Sequence, residues 1–301
     1  MAANNTNGNG SVLKFGLPKG SLQDATISLF ARAGWKLRQH HRNYFPDVND
    51  KALKCNLCRV QEIPRYVADG TLDLGLTGRD WLHETGCDKD VEVISDLVYS
   101  KVSNRPARWV LAVAGDSPYK RPEDLAGKKI ATELMNFTRE YFDNAGIPVQ
   151  VEYSWGATEA KVVEGLADAV VEVTETGTTI KAHGLRIIAE LMQSNAQLIA
   201  NPEALKDPVK RKKIEQIDML LHGALDAESM VGLKMNVPED RIPAILDELP
   251  AITAPTVANL WNKDWVSVEI IVNESVVRDL IPKLVDLGAK GIIEYSLNKI
   301  I

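Results

Sequence analysis

Two hydrophobic rhythms divide this chain. Up to about residue 200, short apolar runs such as Val12–Leu17, Leu72–Leu76, Trp109–Ala114, Ala169–Val173 and Ala196–Ile199 alternate with stretches such as Glu62–Gly70, Phe137–Asn144 and Ala157–Leu166. The first kind predicts buried strands and the second helices, with Asn136 placed to cap the helix from Phe137. Strands separated by helices predict a parallel sheet with right-handed crossovers. The pattern restarts after Asn104-Arg105-Pro106, and Ala196–Ile199 reads as a strand returning to the first group. Two α/β lobes joined by two crossings follow, one of residues 12–104 with 193–225 and the other of 105–192. Beyond residue 226 the rhythm changes. Met230–Val237 alternates as a half-buried strand does, and Ile242, Ile245, Leu246 and Leu249 share a helical face. Strands near Thr256–Leu260 and Val266–Val272, a helix between Asn273 and Gly288, and a strand at Gly291–Ser296 complete a βαββαβ order. That order predicts a ferredoxin-like unit over 226–301. Residues 1–11 read as disordered.

The stretch Val170–Thr179, VVEVTETGTT, carries the most chemistry. Its valines predict a buried strand, and Gly177 lets the backbone turn tightly before a helix. Hydroxyls of Thr176, Thr178 and Thr179 beside the helix-start amides suit a phosphate. Glu172 and Glu175 would repel that anion, so they suit ligand hydroxyls, such as a ribose 2,3-diol, or a bound Mg²⁺. An ordinary strand-to-helix turn capped by threonines accounts for the short motif about as well. A second turn, Pro18-Lys19-Gly20, precedes Ser21 and Asp24 at capping-box spacing and poises Lys19 as another anion contact.

The longer context moves the balance. GLADAVVEVTETGTTIKAHGLRIIAELMQSNAQLIAN from Gly165 resembles the signature region of the ATP phosphoribosyltransferase family. LPKGSL at Leu17–Leu22, RVQEIPRYVADGTLDLGLTGRDWL at Arg59–Leu82 and KKIATELMNFTREYF at Lys128–Phe142 resemble the same family in the expected order. Glu172 departs from it, standing where the family more often has Asp. The resemblance implies a bilobal, periplasmic-binding-protein-like α/β core with a C-terminal ACT-like regulatory domain, as in the family's long form. It implies transfer of the phosphoribosyl group of phosphoribosyl pyrophosphate (PRPP) to N1 of ATP, giving N1-(5-phosphoribosyl)-ATP and pyrophosphate. This is the first step of L-histidine biosynthesis, inhibited by histidine.

The same resemblance implies site residues. Lys19, Arg59 and Glu172 would be catalytic. PRPP would meet Asp168, Glu172, Thr174, Glu175, Thr176, Gly177, Thr178 and Thr179. ATP would meet Lys19, Gly20, Ser21, Arg59, Asp73, Gly75, Gly78, Asp80 and Thr132, and inhibitory histidine would meet Ile252, Ala254, Thr256, Ile271 and Gly291. Mg²⁺ would be held mainly by the substrate phosphates, AMP is a candidate effector, and dimers would build hexamers. His183 reads as structural, because adenine N1 carries no proton to remove. A bilobal solute-binding or ligand-sensing protein, or a phosphoribosyltransferase for another base, are the competing readings.

Composition narrows these choices. A net charge of -6 argues against a general nucleic-acid binder, so phosphates must be met by local donors. No apolar run approaches the ~20 residues of a membrane span, and MAANNTNGNG lacks the marks of a signal peptide, which suits a cytoplasmic enzyme. Three cysteines make no disulfide framework, and the Cys55/Cys58 pair lacks the further ligands of a metal site.

Overall fold

The computed structural model describes residues 11–39, 43–99, 106–250, 254–261 and 264–301. Residues 1–10, where disorder was expected, and Ile252, an expected histidine contact, lie outside them. In the first lobe the order is β1 (Leu13–Lys19), α1 (Gln23–Ala33), β2 (Leu37–Arg38), β3 (Asp47–Val48), β4 (Leu53–Arg59), α2 (Ile63–Ala68), β5 (Leu74–Gly78), α3 (Arg79–Thr85) and β6 (Glu92–Leu97). The second lobe holds β7 (Ala107–Ala114), β8 (Lys129–Thr132), α4 (Met135–Asn144), β9 (Gln150–Tyr153), α5 (Thr158–Val163), β10 (Ala169–Thr174), α6 (Thr178–Ala182) and β11 (Leu185–Ser194). The chain then returns through β12 (Ala196–Ala200), α7 (Pro202–Lys206) and α8 (Pro208–Asp226).

Each lobe is a five-stranded sheet with one reversed strand. The first runs β4-β1-β5-β12-β6, with β12 antiparallel to both neighbours. The second runs β11-β7-β10-β8-β9, with β7 antiparallel to both of its own. The reversed strand in each lobe is the one that enters just after a crossing, so the two sheets repeat one plan. The stretches read as buried strands are buried: Leu13, Phe15 and Leu17 on β1, all five residues of β5 and of β12, and Val110–Val113 on β7. This is the two-lobed α/β architecture of the periplasmic-binding-protein class.

Compact packing divides the chain near residue 218, with residues 219–301 and the short piece 32–34 forming a second unit. It contains β13 (Met230–Pro238), α9 (Ile242–Glu248), β14 (Thr256–Asn259), β15 (Trp265–Asn273), α10 (Glu274–Asp286) and β16 (Lys290–Ser296). The antiparallel order β14-β15-β13-β16 is ferredoxin-like. Alternation on β13 and β15 puts Leu233, Met235, Val268 and Ile270 into a core under the two helices, with Ile245, Val277 and Leu284. Asn273 caps α10 by accepting the Ser275 N–H at 3.0 Å.

Cys55 and Cys58 stand three residues apart on β4, and extended backbone sends side chains at odd separations to opposite faces. They cannot form a metal or redox pair there. Burial also pushes the Cys55 thiol up to about 12, which leaves it inert.

Candidate active site

The parallel strands of the two lobes end at the edges that face each other. β1 ends at Lys19 and β4 at Arg59, which are neighbours in register. β5 ends at Gly78 and β10 at Thr174. Open α/β sheets hold ligands at these carboxyl ends, where the backbone leaves the ladder. Two adjoining cavities of about 330 and 370 Å³ lie between the lobes and share Trp81 as a wall.

The larger cavity is faced by Ser21, Gly78 and Asp80 from one lobe and by Thr174, Glu175, Thr176 and Thr179 from the other. The turn between β10 and α6 is braced from within. Thr174 is buried and its hydroxyl accepts the Gly177 N–H at 2.8 Å, while Gly177 takes φ +78, a conformation that favours glycine. The Thr176 and Thr178 hydroxyls lie 2.8 Å apart, and His183 donates through Nδ1 to the Thr179 carbonyl at 2.9 Å. His183 therefore ties down the end of α6. Lys19 and Gly20 line neither cavity: Lys19 ends β1 with its Nζ 4.0 Å from the Tyr44 ring centroid, and Gly20 turns the chain there at φ +115.

Asp80 works as a joint. Trp109 of the second lobe donates to its Oδ2 at 2.6 Å, and the Trp81 N–H reaches Oδ1 at 2.9 Å. Burial raises this carboxyl above the usual range, against the hydrogen bonds that favour its charge. Gly78 leaves room for it, because a Cβ there would stand 2.0 Å from the Asp80 Oδ1. The rest of α3 reaches across as well. Trp81 meets Trp109 edge to face at 6.4 Å, and His83 pairs with Glu140 at 2.9 Å. Glu84 accepts the N–H groups of Asn136 and Phe137, both at 3.0 Å, so α4 is capped from the opposite lobe and not by its own Asn136.

The smaller cavity brings together Arg59, Arg65, Trp81, Glu133, Tyr153 and Trp155. Arg59 was expected at such a place. Arg65, Tyr153 and Trp155 were not singled out, and a lone Trp beside a glycine in a polar loop was the one available hint. Glu172 faces neither cavity. It lies by Thr158 of α5, where burial, and then repulsion from Glu159 and Glu133, push its carboxyl up to about 7.

Four expected contacts, Asp73, Asp168, Gly75 and Thr132, line neither cavity in this structure. Asp73 precedes β5 and Asp168 precedes β10, so each stands at the amino edge of its sheet, a strand's length from the cleft. Asp73 accepts the Lys14 N–H at 2.8 Å and pairs with Lys210 at 2.8 Å. Asp168 accepts the Lys129 N–H at 3.0 Å and lies 3.8 Å from Lys128. Gly75 is a packing glycine, since a Cβ there would come within 2.5 Å of Ile63 on α2. Thr132 is fully buried and its hydroxyl accepts the Leu134 N–H at 3.0 Å.

In the C-terminal unit, Thr256 and Ile271 lie on the sheet face away from the helices. Thr256 pairs with Glu269, two residues before Ile271. Ala254 is exposed ahead of β14, and Gly291 lies on β16 beside Asn236, three strands from Thr256. Among the described residues no three His, Cys, Asp or Glu side chains are grouped to hold a metal. None of their helices is long and apolar enough to cross a membrane.

This geometry meets a specific set of relatives. A family model described as ATP phosphoribosyltransferase matches residues 59–223, and a second, described as HisG, C-terminal domain, matches 227–299. A curated ATP phosphoribosyltransferase of Solidesulfovibrio magneticus is 72% identical over 97% of this chain and 99% of its own length. Another, of Nitratidesulfovibrio vulgaris, is 69% identical over 97% and 99%. Among solved structures, the ATP phosphoribosyl transferase (HisG:HisZ) complex from Thermotoga maritima superposes with TM-score 0.58 and 26% identity. That match covers 70% of this chain and 99% of the other, so nearly a third of this chain has no counterpart there. An L-arginine-bound protein, Tv2483, superposes with TM-score 0.50 at 12% identity over 73% of this chain and 87% of its own, a likeness of fold alone.

Proposed function

The chain belongs to the ATP phosphoribosyltransferase family, and from that premise we propose that its two interlobe cavities divide the substrates. The enzyme performs the first step of histidine biosynthesis, joining N1 of ATP to C1 of PRPP with loss of pyrophosphate. PRPP takes the larger cavity, where the braced turn Thr174–Thr179 offers hydroxyls and amides to its 5-phosphate. ATP takes the smaller one, where Arg59 and Arg65 meet its phosphates. The carrying observation is that Trp81 walls both cavities, so ligands in the two would adjoin.

No protein nucleophile is required. Adenine N1 displaces pyrophosphate through a transition state with positive charge on the ribosyl ring, and alignment of two bound reactants lowers the barrier. Lys19, at the carboxyl end of β1, favours the charge gathering on the leaving pyrophosphate. Mg²⁺, carried by the substrate phosphates, supplies Lewis-acid neutralisation of the same charge. Glu172 keeps α5 and the β10 strand in place behind the turn and draws closer to a ribose hydroxyl only if the loop shifts.

The C-terminal unit is read as the regulatory module, binding L-histidine on the face that carries Thr256 and Ile271. Dimers that assemble into hexamers are the expected state, checked by light scattering. The decisive experiment follows phosphoribosyl-ATP formation by absorbance. Thr178→Ala with Thr179→Ala should raise the KM for PRPP at least roughly tenfold, the scale of one or two lost charge-assisted hydrogen bonds, with little change for ATP. The reverse pattern would overturn the division. L-histidine should inhibit the full chain, and Thr256→Lys should relieve that inhibition without changing kcat.

A further inference from the structure

The segment between β9 and α5 is built unlike its surroundings. Trp155 is 81% exposed, although it and Tyr153 both face the cavity that contains Arg59 and Arg65. Their rings meet edge to face at 6.3 Å, and the indole stacks flat on no aromatic ring among the described residues. Leaving a tryptophan this exposed forgoes most of its burial energy.

Two further observations fall on the same five residues. Ser154 and Thr158, which bracket the loop, are fully buried; Thr158 lies against the Glu172 carboxyl, whereas the Ser154 hydroxyl has no hydrogen-bond partner among the described residues. A buried orphan hydroxyl is costly, and in a native fold it calls for an explanation. Between them, Gly156 at φ +66 is followed by Ala157 at φ +47, the one non-glycine residue with positive φ among the described residues. Such backbone is held at a cost and clusters where a segment changes state. The loop is held to its own lobe by the Ser154 N–H to the Thr132 carbonyl at 2.9 Å and the Gly156 N–H to Glu133 at 3.1 Å.

We propose that Ser154–Thr158 is an aromatic lid in which Trp155, backed by Tyr153, stacks on the base of the nucleotide whose phosphates Arg59 and Arg65 hold. Stacking covers the indole, and settling of the loop on the base gives the Ser154 hydroxyl a partner. Trp155 is thus a positioning residue that presents the base edge toward the second substrate. This rests on the division of substrates proposed for the cleft.

The test uses the full-length enzyme and three variants. Aromatic stacking on a base is worth enough to change affinity on the order of tenfold. Trp155→Ala should raise the KM for ATP by about that factor and leave the KM for PRPP within about twofold, whereas Trp155→Phe should stay near wild type. Inorganic tripolyphosphate, which has no base, should inhibit wild type and Trp155→Ala equally. ATP alone should quench tryptophan fluorescence in wild type and do so much less in Trp155→Phe. An unchanged KM for ATP in Trp155→Ala, or a rise confined to PRPP, would overturn the lid. Arg65→Ala separates the two failures: if it raises the KM for ATP while Trp155→Ala does not, the lid falls and the placement of ATP stands. If neither does, the placement falls first.

Discussion

Replacing Glu172 by glutamine removes a charge that the fold resists. Burial first, and Glu159 and Glu133 second, push this carboxyl up to about 7, against the ordinary 4.5. Below pH 4.5 the group is protonated whether the chain is folded or not, and it makes no difference to stability. Between 4.5 and about 7 the folded protein keeps the proton that the unfolded chain has released, so stability falls as pH rises. Above 7 the loss is complete. At roughly 1.4 kcal/mol per pH unit, the full effect is about 3 kcal/mol, of which about 2.5 kcal/mol develops between pH 5 and pH 8. Glutamine keeps the shape without the charge. Urea unfolding at pH 5 and at pH 8 should show Glu172→Gln gaining on wild type by about that amount. Parallel stabilities at the two pH values would refute the reasoning, because they would mean that the carboxylate is comfortably solvated where it stands.

Three other substitutions separate packing from binding. Gly75→Ala should cost about 1–3 kcal/mol in urea unfolding by driving a methyl into Ile63 and Val67 on α2, with kcat per folded molecule unchanged. Asp73→Asn should cost about 1–2 kcal/mol through its lost pairing with Lys210, and the KM for ATP should not move. Glu84→Ala removes the cap that α3 lends to α4; stability should drop by about 1 kcal/mol, and both KM values should rise together as the lobes lose a tie.

The strands were legible because strands buried on both faces are mostly apolar over their length, which makes β5, β7, β10 and β12 visible as short apolar runs. The βαββαβ order at the end of the chain was legible for the complementary reason: β13 and β15 each keep one face open, and the alternation shows. The turn at Gly177 was legible too, since glycine and threonine mark a strand-to-helix corner whatever the ligand. Distance along a strand was not. Asp168 and Thr174 read as neighbours in the sequence, but the strand between them spans roughly 20 Å at about 3.3 Å per residue, which takes Asp168 out of the cleft. Asp73 and Gly78 are separated in the same way. Contributions from the opposite lobe, such as Glu84 capping α4 and Trp109 bonding Asp80, are long-range pairings that no local pattern records.

The placement of β12 between β5 and β6 governs the order in which the chain can fold. β5 and β6 are complete by residue 97, but the strand that joins them begins at Ala196. As the chain leaves the ribosome, the first lobe must therefore wait, with the edge of the mostly apolar strand β5 unpaired. The second lobe is contiguous and can form in the meantime. Folding from the amino end, the usual course during synthesis, is closed to this protein: the later lobe precedes the earlier one, and until Ala196–Ala200 emerges the unfinished sheet offers an open apolar edge to any other chain that reaches it.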